Sequence, residues 1–177
     1  MATLATATME EAIPDLRDEL EGLFQAHHRS VFGTAFRITG NAADAEDVLQ
    51  TVFLRLAGRD RAAPRLDNTE SYLRRAAINA ALDVLRARRA EGSVPLRESQ
   101  PEPGQPEPGD LPDYLRRALA KLSPEAAEIF ALRFFEGHGN REIARLLGMS
   151  QVGVAVALHR ARRRLQKEIS SYIGGKS

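Results

Sequence analysis

Apolar residues recur along this chain at steps of three and four, the spacing of one helix face. Nowhere do they alternate over a useful length, as a strand would require. Leu20, Leu23, His27, Val31, Ala35 and Ile38 follow the helical spacing, so a first helix is expected from about Leu16. "TGN" at Thr39–Asn41 stops it, and Asn41 is placed to cap the next. That second helix, "AADAEDVLQTVFLRLAG", puts Ala45, Val48, Leu49, Val52, Phe53 and Leu56 on one stripe, and Gly58 ends it. A polar loop, "RDRAAPRLDNTES", leads to a third helix over about Glu70–Arg89.

The pattern breaks at "EGSVPLRESQPEPGQPEPGDLP", Glu91–Pro112, where Pro95, Pro101, Pro103, Pro106, Pro108 and Pro112 stand among glycines and acids. Such a segment neither sustains a helix interior nor buries apolar surface, so it is expected to be a linker, partly extended by its prolines. Beyond it a helix opens near Asp113. Ser123 is expected to cap another, with Pro124 at its first position. "GHGN" breaks that helix. Asn140 is expected to cap "REIARLLG", and Ser150 the last helix, from Gln151 to about Ile169. The expectation is an all-α chain of two small helical domains. A flexible tail would cover residues 1–14, a helical domain 15–90, the proline-rich linker 91–111 and a helix-turn-helix domain 112–177.

A net charge of +1 hides an uneven layout. Residues 1–64 carry 6 basic and 10 acidic side chains, 65–90 carry 6 and 3, 91–110 carry 1 and 5, and 111–177 carry 12 and 6. Basic blocks are usually solvated helix faces; two of them, split by an acidic stretch, also suit a nucleic-acid partner. Cysteine is absent, which excludes disulfides and thiolate metal sites and suits a reducing compartment. "MATLATATMEEA" lacks the basic start and apolar block of a secretory signal, and no run nears the roughly 18 apolar residues of a membrane span. A cytoplasmic protein without membrane insertion is expected.

Chemistry of the catalytic kind finds little support. Asp44 and Asp47 share a helical turn, but acids near a helix N-terminus complement its dipole, and no histidine stands at ligand spacing to them. Neither a Gly-rich phosphate loop nor a nucleophile motif is present. No catalytic residue, metal or cofactor is expected. "NREIARLLGMSQVGVAVALHRARRRL", Asn140–Leu165, instead has a helix-turn-helix layout: Ile143, Leu147, Met149, Val154 and Ala157 fall inside, Ala144 is small where helices cross, and Gly148 sits at the turn. A plain helical hairpin fits these apolar positions too; the downstream "RARRR" favours DNA. On the third helix Arg75, Asn79 and Arg86 share a face, with Arg74, Arg88 and Arg89 flanking and Tyr72 at the entry. Taken alone that face reads as solvated surface with a half-buried tyrosine; as a binding face it offers phosphate partners, an amide for base edges and an aromatic for stacking.

Taken together, "TGNAADAEDVLQTVFLRL", "YLRRAAINAALDVLRARR" and "LSPEAAEIFALRFFEGHGNREIARLLGMSQVGVAVALHRARRRL" resemble the small extracytoplasmic-function sigma factors of bacterial RNA polymerase, over about Leu16–Ile169. The resemblance implies a non-enzymatic initiation factor that binds core polymerase, selects a promoter and helps melt it. It implies that Asp44, Glu46, Asp47, Gln50 and Phe53 meet the clamp helices of the polymerase. The loop from Arg59 to Asn68, with Tyr72, Arg75, Asn79 and Arg86, would take the opened minus-ten strand, a flipped base resting against the loop. An anti-sigma factor is implied as a further partner.

The final helix departs from the family. Where threonine, lysine, serine and arginine are usual in its first turns, this chain has Gly153, Ala155, Val156 and Ala157; Tyr72 stands where tryptophan is frequent and Ile78 where a polar residue is. Minus-thirty-five readout would fall to Gln151 and to Val152, Ala155 or Val156 against thymine methyl groups. Arg141, His159, Arg160 and Arg163 would lie on phosphates. DNA shape would carry part of the specificity. Two other readings stand beside this one: a DNA-binding regulator that works without polymerase, and a sigma-derived protein whose apolar "VGVAVAL" face binds a protein.

Overall fold

The computed structural model describes residues 3–59, 68–91 and 111–174, with side chains between Arg17 and Ser171. The loop interior, 60–67, and the proline-rich stretch, 92–110, lie outside the described residues. Every regular element among those described is a helix: α1 (Thr3–Thr39), α2 (Ala42–Ala57), α3 (Thr69–Ala90), α4 (Leu111–Leu119), α5 (Pro124–Phe134), α6 (Asn140–Leu147) and α7 (Gln151–Gly174).

Helix α1 starts well before Leu16 and takes in residues 3–14, for which a tail was expected. Alanine, methionine and glutamate favour helix without any apolar stripe, so periodicity was blind to that stretch. The caps act locally. Asn41 accepts from the Asp44 amide at 3.0 Å and Asn68 from the Ser71 amide at 2.9 Å. Ser123 caps α5, with Pro124 at its first position, and Ser150 accepts from the Gly153 amide at 3.0 Å. One cap differs from expectation. Gly139, not Asn140, is the cap of α6, and Asn140 is already helical. Glycine has no side chain to offer, so Glu142 reaches back and accepts the Gly139 amide at 2.8 Å. Gly148 closes α6 with φ 65°, a left-handed conformation that glycine adopts without strain.

Helices α1, α2 and α3 pack on one another, while α4, α5 and α6 each pack on α7. Helix α3 also faces α4 and α5, so it is shared by both halves. The apolar stripes meet in one continuous core, running from Val31, Ile38, Val52, Leu73, Ile78 and Leu82 through Leu119, Ile129 and Leu132 to Ile143 and Val154. The two expected helical halves are packed face to face, a placement that the sequence left open.

A close approach marks that junction. Gly40 has φ 67°, and a Cβ there would fall 2.1 Å from Nη2 of Arg116, a residue of α4. The guanidinium lies against bare backbone, and burial pushes its pKa below the ordinary value, with Asp113 opposing that shift. Gly40→Ala therefore forces a left-handed alanine and displaces Arg116. The strain costs about 1–2 kcal/mol, so Tm should fall by about 2–8 °C in a calorimetric scan. An unchanged Tm would show that the turn relaxes freely.

The Glu142 cap gives a second expectation. The Gly139 amide holds the Glu142 carboxyl below its ordinary pKa. A lowered carboxyl pKa stabilises the fold fully above the unfolded carboxylate range, and that contribution fades as pH falls through the lowered value. Thermal stability followed from pH 7 to pH 3 should lose part of its acid limb in Glu142→Gln.

Candidate nucleic-acid interface

The first turns of α2 present Glu46, Asp47 and Gln50 as exposed side chains, held in place by the Asn41 cap and by Ala45, Val48 and Val52 buried beneath. The other two residues of the expected docking face behave differently. Asp44 is only partly exposed and pairs with Arg88 of α3 at 2.5 Å. Burial pushes its carboxyl pKa up, and Arg88 pulls it back. Phe53 is 8% exposed and packs edge-on against Phe24 with ring centroids 5.0 Å apart, so it stands in the core beneath the expected docking face.

Along α3 the expected minus-ten residues are brought onto one side, but not left open. Arg75 Nε donates to Glu128 Oε1 at 2.8 Å, and its Nη1 donates to the Leu146 carbonyl at 3.1 Å. Asn79 Nδ2 donates to the same Glu128 oxygen at 3.3 Å. Glu128 belongs to α5, in the other half of the chain, and its side chain is 12% exposed. Arg86 is held by Asp83 on its own helix at 2.9 Å. Tyr72 lies half-buried, with the Arg59 guanidinium 5.8 Å from its ring centroid. Asn68 is exposed and acts as the α3 cap. The pocket expected for a flipped base, in the loop interior, falls outside the described residues.

A second acid repeats the arrangement along the same seam. Glu136, just after α5, has a side chain 6% exposed. Its Oε1 accepts from the Thr34 hydroxyl at 2.9 Å and pairs with Arg37 Nη2 at 2.5 Å; Oε2 lies 3.4 Å from Arg74 Nε. Arg74 also stands 3.2 Å from the His138 ring. Sequence reading passed over Glu128, Glu136, Thr34 and Arg37. One signal was available: Glu128 is a charge inside "AAEIFAL", a stretch apolar on every side, and a charge so placed needs a partner.

Helix α7 is divided more simply. Val154, Leu158, Ala161 and Leu165 point inward, and Ile143 and Ala144 of α6 are buried with them. On the outer face Gln151, Val152, Ala155, Val156, His159, Arg160 and Arg163 are all exposed, and Arg141 is exposed on α6. Val152 is 74% exposed and Val156 43%, so the start of this face is apolar and open to solvent. A cavity of about 310 Å³ opens beside this face, lined by Arg133, Asn140, Ala155, Leu158, His159 and Arg162. Arg162 also lies over the Phe134 ring, 4.8 Å from its centroid.

The sequence pattern described as Sigma-70 region 2 matches residues 23–91, and that described as Sigma-70, region 4 matches 113–165. The RNA polymerase sigma factor CarQ of Myxococcus xanthus is 34% identical over 166 residues, which cover 90% of this chain and 94% of CarQ. The ECF RNA polymerase sigma factor SigM of Mycobacterium tuberculosis is 30% identical over 152 residues, 85% of this chain and 77% of SigM. Among solved structures, the sigma factor RpoE of Bartonella quintana, crystallised with the anti-sigma factor NepR, has a similar fold. Its TM-score is 0.51 at 20% identity, covering 86% of this chain and 97% of that one. No helix among the described residues is long and apolar enough to cross a membrane. A three-helix bundle, a helix-turn-helix and relatives matched almost end to end place this chain in the extracytoplasmic-function family of RNA polymerase sigma factors, which direct transcription initiation.

Proposed function

We propose that this sigma factor reads its promoter unevenly, with α3 supplying the minus-ten contacts and α7 mainly adhesion at the minus-thirty-five element. It would work in the cytoplasm and without catalysis of its own. Glu46, Asp47 and Gln50 meet core polymerase, Asp44 and Phe53 supporting them from below. Arg59, Asn68, Tyr72, Arg75, Asn79 and Arg86 serve the opened strand. The observation that carries the reading is the outer face of α7. It is solvent-exposed, helical in register and basic along its later turns, yet apolar at its start.

That apolar start limits sequence readout. A good bidentate contact discriminates bases by about 1–3 kcal/mol, and Gln151 offers at most one. Val152, Ala155 and Val156 add contact with thymine methyl groups. Arg141, His159, Arg160 and Arg163 attract phosphates whatever the sequence. The 74% exposure of Val152 also favours a second use of the same face, as the seat of an anti-sigma factor of the kind seen with the Bartonella relative.

Two experiments test the assignments. Asp47→Lys reverses an exposed charge without touching the core, so the variant should keep its helix content by circular dichroism yet fail to co-purify with core polymerase. Equal co-purification would remove α2 from the docking face. Holoenzyme selection on a pool randomised at the minus-thirty-five element should favour few positions, and Gln151→Ala should flatten that preference. Arg160→Ala should weaken binding to all sequences and reduce the logarithmic salt slope by about 0.9. Strong selection at several base pairs that survives Gln151→Ala would reassign readout to the apolar face or to DNA shape.

A further inference from the structure

The cavity beside the outer face of α7 is walled by three helices. Arg133 comes from α5, Asn140 opens α6, and Ala155, Leu158, His159 and Arg162 line it from α7. The spacing of those four residues puts them in a single row on one side of the helix. No lining residue is acidic, while two are arginines and one is a histidine. Leu158 is buried and Ala155 ends in a methyl group, so the row sets a low apolar wall among the cations. Each arginine is held by a contact that leaves donors over. Arg133 Nη1 donates to the His138 carbonyl at 3.0 Å, which uses one of the five N–H groups a guanidinium carries. Arg162 lies over the Phe134 ring, a cation–π contact that consumes no N–H donor.

A cavity so lined repels cations and favours an oxyanion whose oxygens meet donors from several directions. A carboxylate is planar and is satisfied by one guanidinium. A phosphate is tetrahedral and suits donors from α5, α6 and α7 together. The volume, about 310 Å³, is at the small end of ligand sites and exceeds what the phosphate itself would fill. We infer that this cavity is a phosphate-ester site: Arg133, Asn140 and Arg162 hold the phosphate, and the apolar row at Ala155 and Leu158 takes the attached sugar. Two sources supply that chemistry, a free nucleotide and the backbone of minus-thirty-five DNA. The first is independent of the reading of α7 given above; the second rests on it and adds residues behind its outer face. Ala155 and His159 belong both to the cavity and to the proposed DNA-facing surface. A free nucleotide seated here therefore competes with a bound duplex.

The test uses the full-length chain, with AMP as the free probe and adenosine as its phosphate-free control. AMP should shift the side-chain N–H resonances of Arg133 and Arg162 saturably, and adenosine should not. Arg162→Gln should weaken AMP on the order of tenfold, through loss of charge-assisted hydrogen bonding. Asn140→Asp is a second variant that spares the fold, because an acid suits the first turn of α6 while repelling an anion from the cavity. It should abolish the shifts without lowering Tm. The DNA arm uses holoenzyme on a pool-selected promoter whose minus-thirty-five phosphates are neutralised one at a time as methylphosphonates. Where DNA supplies the phosphate, one position should cost the wild type about tenfold and Arg162→Gln nothing further, so the two losses do not add. AMP binding with no coupled phosphate assigns the site to a free nucleotide; a coupled phosphate without AMP binding assigns it to DNA. If AMP moves neither resonance and no phosphate couples to Arg162, the site is overturned, and weakened DNA binding in Arg160→Ala would show that the reading of α7 survives it. If Arg160→Ala costs nothing, the reading of α7 falls, and AMP alone decides the site.

Discussion

Two carboxylates withdrawn from water decide how the halves of this molecule meet. Glu128 and Glu136 lie in a seam where an unpaired charge would be very costly, so each must find its cations across the junction. The cations come from α1 and α3, and the packing of α4, α5 and α6 is oriented by that requirement as much as by the shared apolar core. Such pairs are poor sources of net stability, because desolvation consumes most of the attraction. Stripping an acid of its partners is costly, however, since it would be left charged with little access to water. The seam is thus specified more strongly than it is stabilised. Arg117–Asp113 and Arg86–Asp83, near-neighbour pairs on single helices, impose nothing comparable.

The same requirement divides the functional surfaces. A guanidinium that suits a phosphate also suits a carboxylate, so a face rich in arginine is open to capture from within the chain. Helix α3 is captured at Arg75 and Asn79. Helix α7 is not: Val154, Leu158, Ala161 and Leu165 on its inward face are apolar, and among the described residues none of its arginines pairs with Glu128 or Glu136. The two helices proposed to face DNA therefore differ in availability for a reason that lies in their neighbours, not in their own sequences.

Local features of the fold were legible in the sequence. Period-3.6 stripes located α2 and the later part of α1, and short-range chemistry at Asn41, Ser123, Gly148 and Ser150 marked where helices start and stop. These signals need only a few adjacent residues. The Asn140 cap failed because Gly139, Asn140 and Glu142 together permit two starts one residue apart. The length of α1 escaped because its N-terminal stretch is helical without a stripe. Phe53 shows another limit: its place beside an acidic face did not reveal that it is buried against the Phe24 ring. The seam was hidden most thoroughly. Arg75 and Glu128 are 53 positions apart, Thr34 and Glu136 102 apart, and no pattern within either half announces the other.

Helix α3 belongs to both halves, and the halves are made in order. A ribosome completes α1, α2 and α3 before it has translated Glu128 or Glu136. The nascent bundle can therefore collapse on its own apolar stripes with Arg37, Arg74, Arg75 and Asn79 turned to solvent. Residues 1–90 carry 12 basic and 13 acidic side chains, so what the newborn bundle lacks is not net charge but the particular acids that seat on these side chains. Those acids arrive late, from beyond a proline-rich stretch of sequence. The order of synthesis gives each molecule a brief youth in which this face is uncovered, and maturation consists of the second half closing over the first.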